Sequence, residues 1–128
     1  CIDVRKNLQN NNHKWEIYKS FGKQKIDISI ESWIEEIQKQ GAGEILIQSI
    51  DNDGMGSGYD IELLEKVSSL SSVPLISLGG VGNFDDLIDG YKANNNIALA
   101  AANIFHFTEQ SVLNAKKYLK HNNINVRV

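Results

Sequence analysis

The residues of this 128-residue chain whose types suit chemistry lie at the ends of its apolar runs. Asp3 stands in the first run, between Ile2 and Val4. A carboxylate at the tip of an otherwise buried strand is partly removed from water, which suits it to acid/base work. The alternative is a strand-end residue that forms an ion pair with Arg5 or Lys6, and the spacing leaves both interpretations open.

The second run leads into the segment Ser49–Asp60, which is dense in glycine and carboxylate. Its glycines let the backbone turn sharply and bring N–H groups close to an anion, while Asp51 and Asp53 can orient a polar substrate. The same carboxylates resemble the start of a calcium loop. Gly56 stands where such a loop needs a ligand, so we predict no metal and no cofactor.

Two further runs end in small residues. Gly79–Gly82 leads into a helix that Asn83 opens, and backbone N–H groups at such a helix start can hold a phosphate. Ala100–Asn103 lets a ligand approach the backbone closely. Tight turns also use glycine without any ligand, but small residues at two successive strand ends are typical of the phosphate site of β/α barrels.

The remaining reactive side chains favour structural interpretations. His106 lies between aromatic residues, where a structural histidine is more common than a catalytic one, and His13 and His121 have polar surroundings typical of the surface. Cys1, the single cysteine, is expected to be a small apolar residue in a strand rather than a nucleophile.

Strands and helices alternate along the chain. Nearly continuous hydrophobicity is typical of strands in a parallel sheet, and it predicts four of them: Cys1–Val4, Glu44–Ile50, Pro74–Leu78 and Ile97–Phe105. Each is followed by residues with helical spacing, and the predicted helix caps are Ser29, Asp60, Asn83 and Thr108. Between the first strand and its helix, Trp15–Tyr18 and Lys25–Ile28 alternate around Phe21–Gly22, which predicts a β-hairpin in a βα loop.

Four βα units in one domain, residues 1–128, permit two architectures. One is a small doubly wound sheet, and the other is half of a (β/α)₈ barrel, which needs roughly 250 residues. A bare half barrel would expose two unpaired strand edges and should associate, for instance as a homodimer that completes the barrel. Because the sequence opens on Cys1 at an apolar run, we expect a fragment of a longer protein.

Composition excludes several classes of partner. A net charge of −3 offers no bulk attraction to nucleic acid or an anionic membrane, so a phosphate needs a local site. The sequence contains neither an apolar run long enough to span a bilayer nor a signal-peptide pattern, and it has only one cysteine. We therefore predict a cytoplasmic protein.

These motifs together resemble the cyclase subunit of imidazole glycerol phosphate synthase, a β/α barrel of histidine biosynthesis. The resemblance spans the whole chain and corresponds to the C-terminal half of that barrel, strands five to eight. It rests on Ile2–Lys6, Gly41–Leu46, Ser49–Gly54, Ser57–Asp60, Gly79–Gly82, Ile104–Phe107 and Asn125–Arg127.

The resemblance implies a lyase and a set of site residues. Ammonia from a glutaminase partner would convert a phosphoribulosyl formimino carboxamide ribonucleotide to imidazole glycerol phosphate and an aminoimidazole ribonucleotide. Asp3 corresponds to one of two catalytic aspartates, and Glu44 to a charged residue that guards the ammonia entrance. Phosphate contacts fall on Asp53, Gly54, Gly80, Ala102 and Asn103, and substrate-lining positions on Gln48 and Asp51.

The sequence departs from the family pattern near this site. Gln48 replaces the usual threonine, Leu78 a serine before the glycine pair, and Asn103 a serine that contacts phosphate. These changes suit an alternative: a divergent paralogue that channels ammonia from a glutaminase to an amidotransferase acting on surface-polysaccharide sugars.

Overall fold

A computed structural model describes residues 1–9, 14–94, 97–106 and 111–127 of the chain. Within these residues, six strands form one sheet in the order β3-β2-β1-β4-β5-β6. Their bounds are β1 Ile2–Lys6, β2 Trp15–Lys19, β3 Gln24–Ile26, β4 Ile45–Ser49, β5 Leu75–Leu78 and β6 Ile97–Leu99. Strands β1, β4, β5 and β6 are parallel, so their carboxyl ends lie at one edge.

The segment after β1 forms an antiparallel β2–β3 pair, and β2 also pairs with β1 from Asp3 to Lys6. The expectation of two unpaired parallel edge strands is therefore wrong, because β2 occupies the outer edge of β1. The same pairing carries β1 on to Lys6, beyond the predicted end at Val4.

Helices follow the strands, with bounds α1 Ile30–Lys39, α2 Ile61–Leu70, α3 Phe84–Ala93, α4 Asn103–His106 and α5 Val112–His121. Ser29, Asp60 and Asn83 accept hydrogen bonds from the first-turn N–H groups of α1, α2 and α3, as predicted. Ser111, not Thr108, caps α5. Thr108 lies outside the described residues.

The last predicted strand is too long. Strand β6 ends at Leu99, and Asn103–His106 forms α4, in which the Phe105 N–H donates to the Ala102 carbonyl. Hydrophobicity did not separate these two states, because a short buried strand and a short buried helix carry the same apolar residues.

The helices cover one face of the sheet. Buried residues alternate along the parallel strands in register, as Ile2, Ile47 and Ser77 do, and α1, α2, α3 and α5 contact one another in chain order. The opposite face carries half-buried residues such as Asp3 and Gln48. A doubly wound sheet carries helices on both faces, whereas this sheet carries them on one face only among the described residues. No helix in the described part of the chain has the length and apolar character to cross a membrane.

Candidate active site

Asp3 lies on the uncovered face, near the carboxyl edge of the sheet. It is level with Gln48 on β4, and Gln48 is level with Leu78, the last residue of β5. Asp3 is the second residue of β1 and not its last, because pairing with β2 extends the strand at its carboxyl end to Lys6. The side chain is half-buried, and the Cys1 thiol lies 3.5 Å from its Oδ1. Asp3 is therefore partly open to solvent on the uncovered face.

The basic residues next to Asp3 pair with other carboxylates. Arg5 Nε lies 3.2 Å from Asp51 Oδ1, close enough for an ion pair but outside hydrogen-bond geometry, and the Lys6 backbone N–H donates to Asp51 Oδ2 at 2.8 Å. Lys6 Nζ donates to Glu62 at 2.9 Å. These contacts decide against the alternative in which Asp3 forms an ion pair with Arg5 or Lys6. They also engage both oxygens of Asp51 in joining the ends of β1 and β4.

Gln48 orients Asp53. Its Nε2 donates to Asp53 Oδ2 at 3.1 Å, and the Asp53 backbone N–H donates to the Ser49 carbonyl at 3.1 Å. The Asp53 N–H is thus already used within its own loop. The carboxylate is held toward Gln48, which lies between Asp53 and the position of Asp3.

The loops after β4 and β5 meet backbone to backbone, and the loop after β4 also contacts the Asn103 side chain after β6. The Gly58 N–H donates to the Gly80 carbonyl at 2.9 Å, and a Cβ on Gly80, where φ is +106°, would overlap the Gly58 carbonyl oxygen. A Cβ on Gly54 would come within 3.2 Å of Nδ2 in the Asn103 side chain. Close approach and left-handed φ values explain why glycine is needed at these positions. The structure thus places Gly54 next to the Asn103 side chain and Gly80 next to Gly58.

Two residues of this edge were missed by the sequence analysis as site residues. Asn52 Nδ2 donates to the Gly58 carbonyl at 3.0 Å, and the Tyr59 hydroxyl donates to the Ala100 carbonyl at 2.9 Å. The position of Tyr59 beside the helix cap Asp60 could have drawn attention to it. Its hydrogen-bond partner Ala100, however, is remote in sequence.

Glu44 lies at the other edge of the sheet. It directly precedes β4 and is exposed. Gln48 is four positions further along the chain, so the candidate gate and the candidate catalytic residues lie toward opposite ends of one strand.

The first turn of α2 holds the hairpin beside the site. Lys14 and Lys6 both donate to Glu62, and these hydrogen bonds lower the pKa of Glu62 to about 2. Trp15 Nε1 donates to Asp60 Oδ2 at 3.1 Å. The hairpin is therefore fixed against α2 as well as against β1.

The cysteine and the two histidines within the described residues are all exposed. Cys1 is exposed and precedes β1, so the expectation of a strand residue is wrong. His106 ends α4 and His121 ends α5, both exposed, while His13 lies outside the described residues. Among the described residues, no cluster of three or more His, Cys, Asp or Glu side chains suits a metal ion.

The site therefore combines a half-buried carboxylate with a set of closely packed backbone turns. A carboxylate such as that of Asp3 can act as a general acid or base. Main-chain N–H groups in turns of this kind can bind anions without a positively charged side chain. Such an edge suits a phosphorylated substrate that undergoes proton transfer.

Comparison with known proteins identifies a family and several relatives. A family model described as "Histidine biosynthesis protein" matches residues 1–111. Imidazole glycerol phosphate synthase subunit HisF is 46% identical to this chain in Dictyoglomus thermophilum, 44% in Dictyoglomus turgidum and 41% in Clostridium botulinum. Each match covers 100% of this chain but 49%, 49% and 50% of the relative. The chain thus spans about half the length of these relatives.

Proposed function

This chain belongs to the histidine biosynthesis protein family, and on that premise we propose that it forms part of the cyclase subunit of an imidazole glycerol phosphate synthase. The proposed reaction uses ammonia to convert the phosphoribulosyl formimino carboxamide ribonucleotide to imidazole glycerol phosphate and aminoimidazole carboxamide ribonucleotide. The enzyme is thereby a lyase. Family membership and the edge that holds Asp3 and the glycine turns support this proposal.

We further propose that the chain is half of a (β/α)₈ barrel. It has four parallel strands, its helices cover one face, and its relatives are about twice as long. In a closed barrel the uncovered face would line the interior, where side chains fill a packed core. The β2–β3 hairpin would then be an insertion in the first βα loop of this half.

One observation carries the functional proposal: Asp3 is level with Gln48 and Leu78, and Leu78 continues directly into Gly79 and Gly80. An acid/base group on β1 and an anion-binding turn after β5 thus lie at one edge of the sheet, with β4 between them. In the proposed role, Asp3 transfers protons during ring closure and cleavage. The N–H groups near Gly54, Gly80, Ala102 and Asn103 hold one terminal phosphate of the substrate.

The opposite edge suits the entry of ammonia. From Glu44 to Gln48 the chain rises about 13 Å, at about 3.3 Å per residue. Between these levels the uncovered face carries Leu46, Ile76 and Ala98, which are apolar. An apolar path disfavours ammonium ion and water more than neutral ammonia. We propose that a glutaminase subunit docks near Glu44 and delivers ammonia along this path.

The test is turnover by the complete protein that contains this chain, with an ammonium salt as nitrogen donor. Asp3→Asn removes the proton-transfer group at nearly constant size, and we expect kcat to fall by about 10²- to 10⁴-fold. Binding of inorganic phosphate should stay close to that of the parent, because the turns are untouched. Asp27→Asn, on an exposed residue after β3, is the matched control.

Retained cyclisation in Asp3→Asn would remove Asp3 from the mechanism. A parent that never turns over the ribonucleotide, yet restores sugar amidination when its amidotransferase is present, would replace the cyclase proposal with the ammonia-channelling alternative.

A further inference from the structure

The dipeptide Gly58–Tyr59 joins the three loops of the candidate anion site. Gly58 accepts from Asn52 in the loop after β4 and donates to Gly80 in the loop after β5. Tyr59 donates to Ala100, just after β6. A single short segment therefore bonds to the carboxyl ends of three successive parallel strands.

The Tyr59 side chain has little freedom to move. It is 6% exposed, and a Cβ on Gly90 of α3 would lie only 2.7 Å from its ring. Burial raises the pKa of the Tyr59 hydroxyl above its ordinary value of 10, and the negative charge of Asp86 raises it further. The hydroxyl is therefore a protonated donor throughout the working pH range, and its ring is packed so that the donor points at one acceptor.

That acceptor begins the turn that approaches the site. The Ala100 N–H donates to the Ser77 carbonyl of β5 at 2.8 Å, and the Ala100 carbonyl accepts from Tyr59 at 2.9 Å. Both sides of this residue are thus held by hydrogen bonds. The two bonds fix the peptide groups on either side of Ala100, from which the chain continues to Ala102 and Asn103.

We propose that Tyr59 is a positioning residue for the anion site: its hydroxyl sets the Ala100 carbonyl and thereby aims the N–H groups of Ala102 and Asn103 at the substrate phosphate. This inference rests on the proposed function. Tyr59 does not touch the phosphate in this role. It acts through the backbone of the turn after β6.

The experiment compares Tyr59→Phe with the parent in the complete protein that contains this chain. Tyr59→Phe removes only the hydroxyl. Tyr118→Phe is the matched control, because Tyr118 also donates its hydroxyl to a partner, Asp85, but does so between α5 and α3. Inorganic phosphate is titrated by NMR on the amides of Ala102 and Asn103, and kcat and KM are measured with an ammonium salt as nitrogen donor.

We expect Tyr59→Phe to weaken phosphate binding about five-fold, the equivalent of one hydrogen bond of ordinary net strength. The KM for the ribonucleotide should rise similarly, while kcat at saturation stays close to that of the parent. Tyr118→Phe should bind phosphate as the parent does. This split between KM and kcat separates positioning from a general loss of structure.

Two results would overturn the proposal. If Tyr59→Phe melts at a lower temperature but binds phosphate as tightly as the parent, the hydroxyl is only structural and the proposed function still stands. If the parent itself produces no phosphate-dependent shifts at Ala102 and Asn103, the anion site is wrong, and both the proposed function and the role of Tyr59 fail.

Discussion

Replacing Gly80 by alanine tests the packing of the loops most directly. A Cβ there would overlap the Gly58 carbonyl oxygen, and Gly80 has φ +106°, which L residues avoid. The backbone conformation alone costs about 1–2 kcal/mol. The backbone segments at Gly58 and Gly80 must also move apart. This adds about 1–3 kcal/mol for overpacking and about 1 kcal/mol for the lost Gly58–Gly80 hydrogen bond. We expect Gly80→Ala to lower the free energy of unfolding by roughly 3–6 kcal/mol in all.

Gly41→Ala is the control that isolates the backbone contribution. Gly41 follows the end of α1 with φ +91°, and among the described residues nothing lies within 4 Å of the position its Cβ would take. Urea unfolding should therefore show a loss of only about 1–2 kcal/mol, with phosphate binding unchanged. Equal losses for Gly80→Ala and Gly41→Ala would refute the close approach of Gly58 to Gly80, and with it the geometry of the anion site.

Two further variants test contacts next to the site. Glu62→Gln removes the charge that Lys14 and Lys6 bind. Because the pKa of Glu62 falls from 4.5 to about 2 on folding, the ionised Glu62 side chain stabilises the protein above pH 4.5, and this stabilisation is lost toward pH 2. The Tm difference between parent and variant should therefore decrease from pH 4.5 toward pH 2, and it should shrink in high salt. A Tm difference that does not change with pH would contradict the ion pairs. Gly90→Ala should destabilise, since overpacking against Tyr59 costs about 1–3 kcal/mol and outweighs a helix-propensity gain of about 1 kcal/mol. A more stable Gly90→Ala protein in urea unfolding would show that the Tyr59 ring is free to shift.

Local chemistry made much of this molecule readable from its sequence. Ser29, Asp60 and Asn83 cap their helices because a cap depends on hydrogen bonds to N–H groups only two or three residues away. Alternation of apolar runs and helical spacing predicted the parallel strands, and parallel strands place their carboxyl ends at one edge. The sequence could therefore predict that Asp3 and Gly80 share an edge of the sheet.

The tertiary structure decided which residues complete that edge and where its elements stop. Tyr59 and its acceptor Ala100 are 41 positions apart, and Asp51 bonds to Lys6 across 45 positions. Such pairs depend on the register of the strands and on the path of the loops, which no short-range pattern records. The pairing of β2 with the outer edge of β1 is a further example. Which strands pair depends on which strand edges are adjacent in the folded protein. Local hydrogen bonds follow from neighbouring residues, whereas contacts between distant segments exist only once the chain has folded.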